Sequence, residues 1–503
     1  MSETIAIEHE DRPLFKGRMP IYVNAESVDA TNVLEVLDKA KMPFGVNSAQ
    51  IAYLWRYYRG VQPILDRVKD VRPEINNKIV ENRAQEIVIF KLGYQLDQPL
   101  QYTCRTYDSQ ADHTDAENPV LEDVNELNTL MFAEDKASAD RDLMEWMCIG
   151  GCGFRMVTAD TDEDREEGSA PFEIYTLDPR ASFVAYSSSY RHQPLLGVWV
   201  GKGDDDIPVY NCFTDKEFFL VKGNEIVESR PHSYGRIPII EYKLNNARMG
   251  AFEPVLPLLD AINAIESNRL DGIEQTVQAL MKFVNCKITA EDFVEMLKLG
   301  AVQVVTTEGA IGPADVDYIT CDLDQTATQV TKDDIYQAIV NICGMPNRNG
   351  TKGSSSDTGA AVLLRDGWTL AETHAKGYEL QFKKAERDFL RVVLSICDQS
   401  KDCHINLRIR DIELAFNRRN YENALTKSQV LTTMLASPKI HPQLAFESCG
   451  MFTDPEAAYL QSREYMEEEH EVQEAKQTFV QHIGSQQNVP EPGEDAAQAA
   501  LSE

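Results

Sequence analysis

The chain has 503 residues, too many for one hydrophobic core, and predicts two to four subdomains. Its formal charge of -32 excludes a whole-surface grip on nucleic acid, which needs a basic face. No run approaches the ~20 apolar residues of a membrane span, and the ten cysteines form no CxxC pair, so neither a membrane anchor nor a zinc or disulfide framework is expected. Cys148 and Cys152 lie one helical turn apart with no His or second pair to complete a metal set. The opening MSETIAIEHEDRP lacks a basic-then-apolar signal, so the chain is expected to stay in the cytoplasm where it is made. The acidity serves solubility, and it also suits a surface along which phosphates slide without sticking.

In chain order, residues 1–30 read as an irregular arm. Ile51, Leu54, Trp55 and Tyr58 predict a short helix over 48–59, and Ile75, Ile79, Ala84, Ile87 and Phe90 a longer one over 74–92, closed by Gly93. A strand is expected at 100–107, an acidic loop at 108–119 and a helix at 120–149 ending on Gly150-Gly151. From 152 to 243 the hydrophobic period changes to two, predicting strands at 153–158, 172–177, 182–186, 195–201, 208–213, 217–221 and 237–242.

Helical spacing then returns. Over 255–284, Leu259, Ile262, Ile265, Ile273, Val277, Leu280 and Val284 form a stripe, with Asp260, Glu266, Arg269, Asp271 and Glu274 off it. An insert at 286–325 predicts a helix (291–299), a strand (301–306), a turn at 309–313 and a strand (316–321). A second helix starts at Thr331, capped with Asp334 three residues on, and runs to Cys343. Residues 344–359, GMPNRNGTKGSSSDTG, hold four glycines and three successive serines and read as a loop. A helix over 360–397, a strand over 405–416, helices at 421–436, 442–449 and 456–480, and a polar tail over 484–503 complete the chain.

The loop is not a nucleotide-binding loop. Gly344 and Gly350 are separated by five residues where the motif has four, Thr351 precedes Lys352, and Gly353 stands where Ser or Thr would bind magnesium. Arg348 and Lys352 instead put two positive charges on a loop of an acidic molecule, where they can touch phosphates transiently. No HExxH or GxSxG motif, histidine cluster or catalytic triad is present, so no enzyme, metal or cofactor is expected. The order helix, insert, helix, loop, long helix builds a wedge with a loop aimed at an axis, which suits one subunit of a ring with a central hole.

Three stretches carry a resemblance. The first is Tyr57–Ile75, YYRGVQPILDRVKDVRPEI, running through Asn76-Asn77-Lys78-Ile79-Val80 to Gly93-Tyr94. The second is Gly235–Tyr242, GRIPIIEY, followed by Asn245-Asn246, Phe252-Glu253-Pro254-Val255, Leu259-Asp260-Ala261 and Asp271-Gly272-Ile273-Glu274-Gln275. The third is the Gly/Ser loop that opens the long helix. Together, over about 45–480, they resemble the portal proteins of tailed bacteriophages, in the compact group of siphovirus type.

That resemblance implies an α+β portal-type subunit. It implies an N-terminal arm (1–30), an α+β wing (31–250), a two-helix stem (251–285 and 326–343) and a small α/β clip (286–325). A tunnel loop (344–359), a wing spine helix and strand (360–420), helical crown (421–483) and tail (484–503) follow. Asn347, Arg348, Asn349, Lys352, Ser354, Ser355 and Ser356 become tunnel-loop residues that contact DNA, and Asp260, Glu266, Asp271 and Glu274 candidates for the channel-facing side of the stem. The implied assembly is a homododecamer at one capsid vertex, formed in the host cytoplasm and resident in the virion, through which double-stranded DNA passes without sequence specificity. Its implied partners are the terminase large subunit, a head-completion or adaptor protein, and the major capsid and scaffolding proteins. Two other readings stay open: another oligomeric structural or adaptor protein of a virion, and a metal-dependent DNA-processing enzyme of a mobile element.

Overall fold

The structure, a computed structural model, describes residues 17–105, 119–160, 169–203, 207–277, 280–285, 312–319, 325–347, 367–401, 405–416, 424–437 and 439–452, with single positions among 289–294, at 403 and 418, and among 455–465. The chain divides into two compact units, Met1–Arg419 and Asn420–Glu503.

The first unit opens with β1 (Ile21–Val23), so part of the expected irregular arm is a strand. Helix α1 (Val33–Tyr58) is far longer than the predicted 48–59 and carries Pro43 inside it. Pro43 and Gly45 argue locally against a helix. Burial of Val33, Val36, Leu37 and Ala40 in the same helix as Ile51, Leu54 and Tyr57 outweighs that local penalty. Helix α2 (Arg83–Gln95) starts later than expected, so Gly93 lies within it and 74–82 is not helical. After β2 (Gln101–Cys104), the expected single helix is two, α3 (Pro119–Ala133) and α4 (Lys136–Gly150). The break falls at Asp135, whose φ is +46°. The predicted acidic loop lies almost wholly outside the described residues.

Eight strands then follow within the described residues: β3 (Cys152–Ala159), β4 (Phe172–Leu177), β5 (Ser182–Ser187), β6 (Pro194–Lys202), β7 (Pro208–Phe213), β8 (Glu217–Lys222), β9 (Glu225–Pro231) and β10 (Ile239–Lys243). They build a six-stranded sheet, β1-β5-β6-β7-β8-β9, and a three-stranded sheet, β10-β3-β4. Strand β1 pairs parallel to β5; the other pairings are antiparallel. Strand β9 had no sequence signal because it is an exposed edge with no buried face, guarded by Glu225, Glu228 and Arg230.

Helix α5 (Leu256–Val277) ends sooner than predicted. The expected last turns are instead β11 (Leu280–Val284), paired antiparallel with β12 (Asp315–Ile319). The predicted helix at 291–299 and strand at 301–306 lie for the most part outside the described residues. Helix α6 (Gln325–Ile342) begins before Thr331, which is therefore not a cap; its hydroxyl donates to the Ala327 carbonyl (2.9 Å) within the helix. The long helix α7 (Trp368–Gln399) starts after Gly367, and β13 (Ile412–Ala415), shorter than expected, pairs with β2. In the second unit, α8 (Ala424–Leu435) and α9 (Pro442–Cys449) are joined by Lys427, whose amine donates to the Gly450 carbonyl (2.7 Å). The predicted helix at 456–480 lies mostly, and the tail wholly, outside the described residues.

Helix α7 buries Phe382, Ala385, Phe389, Val392, Val393 and Ile396, and amid them the carboxylate of Glu386. That carboxylate is the hub of a buried ionic cluster. Lys136 reaches it at 2.9 Å and Arg155 at 3.5 Å, and both cations also reach Asp140 (2.7 and 2.5 Å). The hydroxyls of Tyr102 and Tyr242 donate to Glu386 at 2.6 and 2.5 Å. Burial opposes ionisation of Glu386, but Lys136, Arg155 and the two phenols hold its carboxyl below the usual carboxylate range. The cluster therefore pins α7 to α4, β2, β3 and β10.

Glu386→Ala leaves Lys136 and Arg155 buried with half their compensation gone, and is expected to cost about 3–5 kcal/mol in urea unfolding. Because the folded pKa is depressed, the carboxylate's stabilisation is complete above its unfolded pKa and is lost as pH falls through the folded value. The variant's acid limb should accordingly be shallower than that of the unmodified chain.

Candidate functional site

Helices α5 and α6 lie against each other through polar side chains as well as apolar ones. Arg269 donates to Gln325 (2.8 Å) and Gln329 (3.0 Å). Lys332 bridges Glu266 (2.6 Å) and Glu81 (2.8 Å), and Arg83 lies 4.4 Å over the Tyr336 ring. Partial burial disfavours the charge on Lys332, but Glu266 and Glu81 hold its pKa above the usual lysine value.

A different face of α5 is polar and buried. Asn263, Ser267 and Asp271 stand four residues apart and are at most 2% exposed. Each side-chain oxygen accepts a backbone N–H from alternate residues of a segment without regular structure. Glu81 N donates to Asn263 (2.8 Å), Ile79 N to Ser267 (3.0 Å) and Asn77 N to Asp271 (2.8 Å). Four residues of helix rise about 6 Å, close to the roughly 6.6 Å that two extended residues span. The helix thus stands in for a neighbouring strand and satisfies N–H groups that would otherwise be buried unpaired.

Asp271 does more than accept those bonds. Lys69 and Arg67 (3.2 Å) neutralise it, and the Asn77 side chain adds a bond of 2.9 Å. Burial works against its charge, but Lys69 and the Asn77 amides hold its pKa below the ordinary value.

The sequence reading placed Asp260, Glu266, Asp271 and Glu274 on the outward side of α5. Asp271 is instead buried inside the subunit. Asp260, half-buried, accepts the Tyr57 hydroxyl (3.0 Å), and Glu266 is paired with Lys332. Glu274 is half-buried. Ile262 is fully buried, whereas Ile273, expected on the same apolar stripe, is 44% exposed. The overlooked signal was Asn263, Ser267 and Asp271: three short polar residues at helical spacing, together with Asn76-Asn77 upstream.

The segment that follows α6 leaves from a fixed base. Gly344 has φ +60°, and a Cβ there would come within 2.8 Å of the His374 ring, so only glycine fits without strain. The buried amine of Lys91 donates to the Gly344 carbonyl (3.4 Å) and lies 5.6 Å over the Tyr378 ring; burial lowers its pKa. Met345 N bonds Val340 O (2.9 Å), and the Asn347 amide donates to Gln337 (2.6 Å). The returning end is Gly367, with φ +83°, where a Cβ would lie 3.6 Å from the Met345 carbonyl oxygen. Trp368 then packs on Phe90 and Tyr94, ring centroids 6.2 and 5.9 Å away. The two roots therefore meet on one base built from α2, α6 and α7. Arg348, Asn349, Lys352, Ser354, Ser355 and Ser356 lie outside the described residues.

Among the described residues, no group of three His, Cys, Asp or Glu could hold a metal, and no helix is long and apolar enough to cross a membrane.

Residues 47–477 match the family described as phage portal protein, SPP1 Gp6-like. The chain belongs to that family. Among solved structures it is similar to a chain of the neck of a native gene transfer agent particle computed with C12 symmetry. There the identity is 12%, the TM-score 0.41, and 73% of this chain and 89% of that chain are covered. It is similar, too, to a chain of the native gene transfer agent virion (11% identity, TM-score 0.42, 80% and 93% covered) and to one of the neck of the empty particle computed with C6 symmetry (11% identity, TM-score 0.43, 80% and 93% covered). No curated protein matches the chain. Portal proteins are structural subunits rather than catalysts, and the polar face of α5 and the base around Gly344 and Gly367 are to be read as parts of such a subunit.

Two substitutions test these parts of the portal subunit. Ser267→Ala removes one acceptor and leaves the Asp271 ion pairs intact. It should cost about 1–3 kcal/mol and speed amide exchange at Ile79; unchanged exchange over 77–81 would refute the role given to this helix face. Gly344→Ala forces a left-handed conformation on a residue with a side chain and pushes it into His374. A loss of about 1–2 kcal/mol in unfolding free energy is expected.

Proposed function

We propose that this chain is the repeating subunit of a closed ring, a dodecamer at one vertex of a capsid, through which viral double-stranded DNA enters during packaging and leaves during ejection. The observation that carries this reading is the base of the loop. Gly344 and Gly367 bring both ends of a Gly/Ser-rich segment together on three helices, which is the build of an element that projects from a rigid wall. In this reading α5 and α6 belong to the stem that forms the channel wall. The loop 344–359 faces the axis, and Asn347, Arg348, Asn349, Lys352, Ser354, Ser355 and Ser356 make transient contacts with phosphates.

Residues 31–250 serve as the wing, 286–325 as the clip, 360–420 as the wing spine and 421–483 as the crown. The clip meets the terminase large subunit during packaging and a head-completion protein afterwards. The major capsid and scaffolding proteins surround the ring as it assembles in the host cytoplasm. A net charge of -32 per copy keeps the duplex from adhering to the assembly as a whole. Because Asp260, Glu266 and Asp271 have partners within the subunit, Glu274 is the acidic candidate on α5 best suited to the wall. Chemical energy comes from a separate motor, since no nucleotide-binding motif is present in the sequence.

The test joins native mass, top-view imaging and packaging. The purified chain should form a ring with a central hole. Deletion of 347–357 should leave that ring intact and reduce DNA packaging or retention. Rings lacking the loop that package and retain genomes normally would remove the loop from the mechanism, and a chain that stays monomeric would overturn the ring itself.

A further inference from the structure

One face of α7 carries positive charge that the subunit does not use. Lys376, Leu380, Lys384, Arg387 and Arg391 follow one another at steps of three or four residues, so they share one side of the helix, opposite the buried Phe382, Ala385 and Phe389. The first four are exposed and Arg391 is half-buried. The carboxylates of the region already serve other groups. Arg418 and the Tyr94 hydroxyl both reach Glu372 at 2.9 Å, leaving Lys376 at a looser 3.7 Å. Lys383 and Arg418 share Glu379, each at 3.0 Å, and Lys383 also reaches Glu413 at 2.9 Å. Asp388 pairs with Arg391. Among the described residues, Lys384 and Arg387 pair with no carboxylate.

Neighbouring elements add to the excess. The amine of Lys243, on β10, donates to Asn246 (3.5 Å); burial, and then the nearby charges of Arg248 and Lys384, lower its pKa. Arg387 lines a cleft with Ile409, and the flanking Arg408 and Arg410 share the carboxylate of Asp411 at 3.5 and 3.4 Å. Glu386 is balanced within its buried cluster and Glu241 by Arg248 (2.5 Å). Setting those aside, the residues just named are nine cations and five carboxylates, an excess of four positive charges in a chain whose net charge is -32. Acidic character returns past Arg391, at the exposed Asp398.

Clustered like charge without counter-ions is relieved by a polyanion. Two are at hand, the acidic surface of another copy and duplex DNA, and the chemistry of the face favours the duplex. Stable contacts between proteins bury aromatic or aliphatic anchors and are depleted in lysine, whereas phosphates are held by the flexible ends of lysine and arginine. Leu380 is the single apolar member of the stripe. Residues 376–391 rise about 22 Å along the helix, a length over which one strand of a duplex sets about six phosphates. We infer that this face of α7, with Lys384 and Arg387 at its centre, binds the phosphate backbone of duplex DNA without regard to sequence, as a contact separate from segment 344–359. The inference rests on the reading of this chain as a conduit for DNA.

The experiment uses the full chain and a labelled duplex of mixed sequence, about 30 base pairs long, at about 0.1 M salt. Lys384→Gln combined with Arg387→Gln should weaken binding at least about tenfold and lower the slope of log affinity against log salt by about two, with far-UV circular dichroism and urea midpoint unchanged. In the unmodified chain, the duplex should slow acetylation of the Lys376 and Lys384 amines and leave Lys39, on α1, unaffected. Unchanged affinity and slope in the double variant would overturn the inference. So would acetylation at Lys384 that ignores the duplex, which also decides the matter should the variant misfold. A double variant that binds the duplex normally but needs more protein to assemble would overturn it in favour of a second copy. A chain that stays monomeric yet shows the protection overturns the ring reading alone, whereas intact rings without protection at Lys384 overturn this inference alone.

Discussion

Buried backbone N–H groups must be paired, and much of this subunit is arranged around one place where neither sheet nor helix could pair them. Residues 77–81 run against α5 without strand neighbours, and Asn263, Ser267 and Asp271 supply the acceptors. An unpaired buried donor costs about 1–3 kcal/mol, so three of them would consume a large part of a domain's net stability. The solution makes one stripe of α5 polar by necessity. It also explains why Asp271 carries two cations: a carboxylate taken out of water has to be compensated, and Lys69 and Arg67 do so while fixing the segment they belong to.

This arrangement changes how the acidity of α5 is to be understood. Charges that stand off an apolar stripe are ordinarily assigned to solvent. Here Asp260, Glu266 and Asp271 each have a partner inside the subunit, and the helix is a two-sided structural element with α6 on one side and segment 62–81 on another. The acidity of the chain is then a property of its overall composition and is not concentrated in one outward row of carboxylates on this helix.

Rigid anchoring recurs at the long helix. Its middle is fixed by the Glu386 cluster, and its first residue, Trp368, packs on α2 beside the loop base. The same helix α2 supplies Lys91 to the other loop root. The two ends of segment 348–366 are therefore held on a base that α7 ties to the sheets.

The sequence by itself determined the elements whose signal is local. Alternation located β4 and β7 to the residue, and the bounds of α9 were legible in the sequence as well. Motif order together with the three matching stretches pointed to the portal family. Tertiary structure decided whatever depended on a distant partner. Helix α1 persists through Pro43 because its far end is buried, β9 is a strand because β8 needs a neighbour, and β11 replaces helical turns because β12 lies across from it. Asp271 could be assigned to the interior only once Lys69 and Asn77, about 200 residues away in sequence, were seen against it. Periodicity reports which residues share a face, but the environment of that face is set by contacts that no local pattern encodes.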